Sequence, residues 1–488
     1  MFLAVEDERN PMHIGNVSVF EGPAPSYGDL VRTVASNLPL VPRYRQRVRF
    51  VPMSLGRPLW VDDGHFQILY HVRRTAVPQP GAAEELRNLA GRVFAQNLDR
   101  NKPLWELWMV EGLEDGCWAL ISKVHHCMVD GVAGTDLLTV LLDRQPQPPP
   151  ARAPEWHPAS EPGGLYVLAD TIADAILDPI NRVRGLPIVA RATLASGFGM
   201  DNLTDLWNFV SCFGTWAQPA AGSLNGPIGP HRRWSWAVSN LEQVREIRGA
   251  LGGTVNDVVL CAITRGFRDL LLGRGENVTG KVVRTLVPVS VRRESEKGLY
   301  NNRVSGYFPG LPVGIEDPLE RLTAIKAQME VFKRSGQAVA GDALTQLSGY
   351  APPMLLSVSA RLATRFEQRL VQTVATNVPG PQFPLYAAGR QMLYAYPYVP
   401  IAGTVRVAIA IFSYLGGLNF GITGDYDSVP DLEVLTHGIE SGMSELLALA
   451  GGPRQTTRPA PAKRKARVSS DGQRRRAPRR RRRAEAAL

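Results

Sequence analysis

The stretch CWALISKVHHCMVDG, Cys117 to Gly131, decides the reading of this chain. Cys117 to Val124 is apolar and β-prone except for Ser122 and Lys123, and Asp115-Gly116 bounds it, so it reads as a buried strand. The strand runs straight into His125-His126, with Asp130 four residues beyond the second histidine and Gly131 after it. A helix is expected from about Val132 to Leu142. Two histidines and a carboxylate at the end of a core strand are costly to bury without use. Side chains alternate along an extended chain, so one histidine can face a cavity while the other packs. His126 and Asp130 are spaced so that one helical turn could join them, and a purely structural Asp130 fits as well. Gly131 permits backbone conformations that other residues resist.

An imidazole titrates near neutral pH and suits general-base work. It could take the proton of an alcohol as that alcohol attacks a carbonyl, and a thioester donor would then expel a thiolate. Other readings of the same residues stay open. The histidines could be a satisfied core pair or metal ligands, although adjacent histidines chelate one ion poorly and no other Cys/His/carboxylate set has metal-site spacing. Cys127 reads as core packing rather than a nucleophile. No Gly-x-Ser-x-Gly points to a covalent serine enzyme.

Outward from this stretch, the 488 residues divide at two breaks in composition. Gln145 to Gly164 (QPQPPPARAPEWHPASEPGG) is a Pro-rich connector, and Pro, Arg and Lys dominate from Gly451 onward. The expected organisation is an α/β lobe at 1–144 and a connector with a helical bridge at 145–231. A second α/β lobe spans 232–450, and a disordered Arg-rich tail 451–488. The bridge carries helical spacing in LYVLADTIADAIL and the aromatic set Trp207, Phe209, Phe213 and Trp216, read as packed between lobes or as an interfacial anchor. In the second lobe, Ser239-Asn240-Leu241-Glu242 has the capping-box pattern before a helix ending at Gly252-Gly253. Thr254 then caps another helix, with Asp257 at its third position and Val258, Val259, Ala262, Ile263 and Phe267 on one side. Lys281 to Val291 is strand-like, its proline marking an edge or bulge. Val407 to Gly424 alternates like two strands rather than a membrane span.

The net charge of +10 suggests a nucleic-acid binder until its distribution is considered. Fourteen Lys/Arg and two acids lie from Pro453 onward, so the body before it is near neutral. Such a tail cannot fold on itself. It could lie on anionic lipid, bind nucleic acid nonspecifically, or remain solvated. Four cysteines without a Cys-x-x-Cys pair give no disulfide framework, and the charged N-terminus reads as neither a secretory nor a transit peptide. A cytoplasmic protein, peripheral to the membrane, is expected.

HHCMVDG resembles the HHxxxDG motif of the CoA-dependent acyltransferase superfamily, which includes condensation domains. With it stand Pro11-Met12-His13-Ile14-Gly15, Asn101-Lys102-Pro103-Leu104-Trp105-Glu106 and Asn225-Gly226-Pro227-Ile228-Gly229-Pro230. Further on come Gly253-Thr254-Val255-Asn256-Asp257-Val258, Pro288-Val289-Ser290-Val291-Arg292 and Asn377-Val378-Pro379-Gly380-Pro381. The ordered set resembles the bacterial wax ester synthase/diacylglycerol acyltransferase family over about residues 1–450; the Arg-rich tail lies outside that core. The resemblance implies two chloramphenicol-acetyltransferase-like α/β lobes with a tunnel at their interface. It implies acyl transfer from acyl-CoA to diacylglycerol, with long-chain alcohols as further acceptors and no cofactor. By the same analogy His126 is the general base, and His125, Asp130 and Gly131 shape its loop. Asn256 acts from the second lobe by orienting His126 or polarising the carbonyl, or else is a cap contact. Pro103, Leu104, Trp105 and Asp257 line the substrate path, Trp105 being equally a core aromatic. Arg292 pairs with Asp130 or Asp257 or merely ends a strand. Two rival readings are an alcohol or condensation-type acyltransferase on the same fold and a lipid-binding scaffold with weak catalysis.

Overall fold

The computed structural model describes residues 2–51, 58–128, 142–147, 156–163, 222–290, 304–334 and 371–451. The helix expected at 132–142, Asp130, Gly131, Cys212, the aromatic set of the bridge, Arg292 and the tail beyond Gly451 lie outside these residues, apart from Leu142 itself. In chain order the elements begin with α1 (Phe2–Val5), β1 (His13–Phe20), α2 (Tyr27–Asn37), β2 (Gln46–Arg49), β3 (Leu59–Asp62) and α3 (Ile68–His71). They continue with β4 (Val72–Ala76), α4 (Ala83–Ala95), β5 (Trp105–Glu111) and β6 (Trp118–His125). After the bridge come β7 (Arg232–Asn240), α5 (Leu241–Leu251), α6 (Val255–Gly273), β8 (Val283–Ser290), β9 (Val304–Tyr307), β10 (Gly310–Leu311) and α7 (Pro318–Arg334). The chain closes with β11 (Thr373–Pro379), β12 (Tyr386–Ala387), β13 (Arg390–Tyr398), β14 (Val407–Tyr414), β15 (Gly417–Asp425) and α8 (Leu432–Gly451).

Two mixed sheets organise two lobes. The first has the order β12-β13-β1-β6-β5-β4, with β4 and β5 parallel. The second runs β10-β8-β11-β14-β15-β7, with β9 beside β8 and β11 parallel to both β8 and β14. The expected strand at Cys117 to Val124 is β6, buried at the centre of the first sheet. One face of that sheet packs Phe20, Trp118 and Leu120 against Leu30 and Val34 of α2. The other packs Val17, Ala119 and Ile121 against Val93 and Phe94 of α4. In the second lobe α6 is the central helix. Val258, Val259, Ala262, Ile263 and Phe267 are all buried there, as their spacing predicts.

The segment 232–450 is not confined to the second lobe. Arg390–Tyr398 forms β13, which pairs antiparallel with β1 and so belongs to the first sheet. The strand then lies across the second sheet. The Asn419 side chain donates to the Ala395 carbonyl at 3.0 Å, and a Cβ on Gly421 would stand 1.6 Å from the Pro397 carbonyl. Only glycine admits that approach. On the other side of the junction α4 meets β7, with Phe94 edge-on to Trp234 at 5.8 Å and the Arg87 guanidinium 4.4 Å over Trp236.

Several local expectations hold and one shifts. Thr254 and Asp257 form the reciprocal capping box of α6, and Val407 to Gly424 lies within the β14–β15 hairpin. The cap of α5 is Asn240 rather than Ser239. Its side chain accepts from the Gln243 N–H, because strand pairing runs on through Asn240, opposite Gly417, and the helix begins only at Leu241. Pro288 sits within β8 opposite Gly306 of β9, beyond the Thr285 and Leu286 positions where β11 pairs. The missing N–H therefore falls where β8 has parted from β11, the edge-like position its presence suggests.

Candidate active site

Three of the motifs meet at the end of β6. His13 of β1 stands opposite His125, the His125 N–H donates to the Leu104 carbonyl at 2.9 Å, and the His126 N–H donates to the Met12 carbonyl at 2.9 Å. Pro11–Gly15 and Asn101–Glu106 thus flank the histidine turn as its two neighbouring strands. Gly15 is a glycine for a steric reason: a Cβ there would come within 2.4 Å of the Phe94 ring and 2.6 Å of the Ser122 carbonyl.

The adjacent histidines have different surroundings, as alternation demands. His125 is fully buried. Its Nδ1 accepts the Cys127 N–H at 3.1 Å, so the ring proton sits on Nε2, which lies 3.4 Å from Glu6 Oε1 in an electrostatic contact without hydrogen-bond geometry. The Nδ1 lone pair of His125 is therefore spent on the backbone. Glu6 accepts the Met12 N–H at 3.2 Å and two bonds from Arg100, at 2.8 and 3.0 Å. Burial works against the Glu6 charge, but His125, Arg100 and the Met12 N–H outweigh it and hold the carboxyl below its ordinary 4.5. His126 is half-buried at the turn, its ring stacked on Phe2 with centroids 4.0 Å apart. His13 donates from Nε2 to the Phe94 carbonyl at 2.7 Å and stacks on Tyr398; burial takes its pKa well below 6.5.

The neighbouring residues pack. Cys127 shares an apolar cluster with Leu104, Leu98 and Val48, and burial pushes its thiol up to about 12, which leaves it no thiolate character. Pro103 and Leu104 are buried, and Trp105 is a core aromatic stacked on His71 at 4.6 Å and donating to the Tyr44 carbonyl at 2.9 Å. Leu104 meets the site through its carbonyl, which accepts the His125 N–H, and through the apolar cluster its side chain shares with Cys127 and Met128 of the turn.

In the second lobe Asp257 serves the capping box. Its Oδ2 accepts the Thr254 N–H at 2.7 Å, while its buried Oδ1 makes no hydrogen bond among the described residues. Asn256, in the first turn of α6, accepts on Oδ1 from the Asn377 side-chain amide at 2.7 Å. This joins two of the sequence motifs and leaves the Asn256 Nδ2 amide as its donor group. Sequence reasoning assigned no role to Asn377, nor to Glu6 or Arg100. The first stands in a quoted motif, while the other two stand in none and become legible only through contacts with the histidine turn.

Two family models match the chain. The wax ester synthase/diacylglycerol acyltransferase catalytic domain covers residues 1–259, and the C-terminal domain of the same family covers residues 300–447. The chain belongs to the wax ester synthase/diacylglycerol acyltransferase family. Among its relatives are a probable diacylglycerol O-acyltransferase of Mycobacterium tuberculosis and a putative one of Mycobacterium bovis. Each is 38% identical over 470 residues, covering 94% of this chain and 96% of the relative. The wax ester synthase/diacylglycerol acyltransferase of Marinobacter aquaeolei superposes with a TM-score of 0.63 at 26% identity, covering 92% of this chain and 98% of the other. A condensation domain of the calcium-dependent antibiotic synthetase shares the fold, with a TM-score of 0.53 at 14% identity over 91% and 93% of the two chains. Membership carries the two-lobed architecture and the O-acyltransferase class, and the HHCMVDG segment lies inside the matched catalytic domain. No helix of this family member, among the described residues, is long and apolar enough to cross a membrane.

Proposed function

We propose that this chain is an acyl-CoA:diacylglycerol O-acyltransferase that makes triacylglycerol and also esterifies long-chain alcohols, by direct transfer with His126 as general base. The observation that carries the assignment is the division of labour at the turn. His125 has its basic nitrogen committed to the Cys127 N–H, while His126 is the half-buried ring of the pair. The neutral His126 takes the hydroxyl proton as the acceptor oxygen bonds to the thioester carbonyl. The C–S bond then breaks, and CoA leaves as the thiolate, which takes up a proton. Base catalysis of this kind contributes about 10² to 10⁴ in rate.

The Nδ2 amide of Asn256 suits an electrophilic partner for the carbonyl oxygen, and Asp257 shapes the same helix start. Substrates reach the turn through a passage between the lobes, acyl-CoA from one mouth and the acceptor from the other. Asp130 and Gly131 lie outside the described residues, and the family motif assigns them to the loop of the base. The reaction needs no cofactor. Its lipid acceptor and product favour work at the cytoplasmic face of a membrane or on a lipid droplet, and the Arg-rich tail suits an anionic surface, at about 1 kcal/mol per basic residue near it. Radiolabelled palmitoyl-CoA offered to the purified chain with diacylglycerol or hexadecanol tests the reading. Label in triacylglycerol supports it, and label in wax ester adds the second acceptor. No ester from either acceptor with a folded protein contradicts it.

A further inference from the structure

Glu6 lies far from the histidines in sequence and in none of the motifs, yet its carboxylate is almost completely buried against His125. The Cys127 N–H can only donate, so it pairs with His125 only while Nδ1 is unprotonated. Either the other tautomer or the imidazolium would set N–H against N–H at this position and lose the side-chain bond that braces the turn, beside the Met128 N–H to His125 carbonyl bond at 2.9 Å that closes it. A buried negative charge 3.4 Å from Nε2 selects the required form. Glu6 supplies it from a fixed position, held by Arg100 on one oxygen and by the Met12 N–H on the other. The charged and titratable groups around this carboxylate are His125, Arg100, Lys123 and Cys127. Lys123 does not compete for it, because its ammonium is spent on the Val93 and Gln96 carbonyls and on Glu106. The same N-terminal segment lays Phe2 on the His126 ring.

We infer that Glu6 is the positioning residue of the histidine turn: its carboxylate keeps the His125 proton on Nε2, and the freed Nδ1 anchors the Cys127 N–H and so the turn that presents His126. The inference rests on the reading of His126 as the base. Glu6 touches no substrate; it acts through His125.

The test combines full-length protein labelled with ¹⁵N-histidine, in which long-range ¹H–¹⁵N spectra report the protonated ring nitrogen, with steady-state kinetics on palmitoyl-CoA and dioleoylglycerol. Glu6→Met keeps the length and removes the carboxylate, whereas Glu6→Gln keeps an oxygen, with its partial negative charge, for the same two donors. The parent and Glu6→Gln should carry the His125 proton on Nε2. Glu6→Met should show both tautomers and lose kcat by about tenfold to a hundredfold, with KM for palmitoyl-CoA little changed and Glu6→Gln within a few-fold of the parent. An unchanged Nε2–H His125 in Glu6→Met overturns the inference. So does a parent whose His125 is protonated on Nδ1, which decides the matter even if Glu6→Met does not fold. The tautomer is read without turnover, so a parent that makes no ester counts against the proposed reaction and not against this role.

Discussion

Asn377 on β11 donates its side-chain amide to Oδ1 of Asn256 across 2.7 Å, tying a strand of the second sheet to the first turn of α6. The bond sets the direction of the Asn256 amide, since a side-chain amide that accepts on its oxygen presents its NH₂ elsewhere. A strand end thereby orients the group proposed to meet the thioester carbonyl.

Asn377→Asp should reverse that amide. A carboxylate accepts, so Asn256 would turn its NH₂ toward residue 377 and present its oxygen where the NH₂ stood. If the NH₂ stabilises developing charge on the carbonyl oxygen, kcat falls by about 10² while the melting temperature barely moves. Steady-state kinetics beside a thermal melt checks this; parent-like kcat in a folded variant would remove Asn256 from the chemistry.

Stability should fall on mild acidification. Burial pulls His71 from 6.5 down to about 4, only partly offset by its bond to the Trp105 carbonyl, and His13 is lowered as well. Between those values the unfolded chain binds protons that the folded chain refuses. Stability present above pH 6.5 is therefore lost as the pH falls toward 4, about 3 kcal/mol from His71 alone. The lowered pKa of Glu6 adds a further loss below 4.5. Urea unfolding of the parent and of His71→Phe at several pH values measures it: the variant's slope against pH should be shallower, and equal slopes would contradict the assignment.

Cys127 adjoins the proposed base and invites the idea of a thioester intermediate. Its pKa, pushed up to about 12 by burial, argues for packing instead. Cys127→Ala should retain most of kcat and lose about 1 to 2 kcal/mol of stability from the small cavity. Activity abolished in a folded Cys127→Ala would reinstate the thiol as nucleophile.

Much of this site is legible in the sequence because its signals are local. An apolar, β-prone run bounded by Asp115-Gly116 marks β6, Thr254 with Asp257 marks the start of α6, and the alternating stretch at 407–424 marks a hairpin. What escaped is non-local. β13 pairs with β1 across more than three hundred residues of chain, and nothing in Arg390–Tyr398 names its partner. The Glu6–His125 contact has no motif, since one carboxylate near the N-terminus looks like any surface acid until the fold buries it. The cap falls on Asn240 rather than Ser239 for a related reason: pairing with the neighbouring strand runs through Asn240, opposite Gly417, and the helix begins one position later.

The central claim, that His126 is the base of an acyl transfer, is tested most directly by CoA release from palmitoyl-CoA in the presence of dioleoylglycerol, measured on the purified parent and His126→Ala. The account predicts a loss of about 10² to 10⁴ in kcat for the variant, with its melting temperature near that of the parent. A folded His126→Ala that released CoA and formed triacylglycerol at near-parent rates would contradict it.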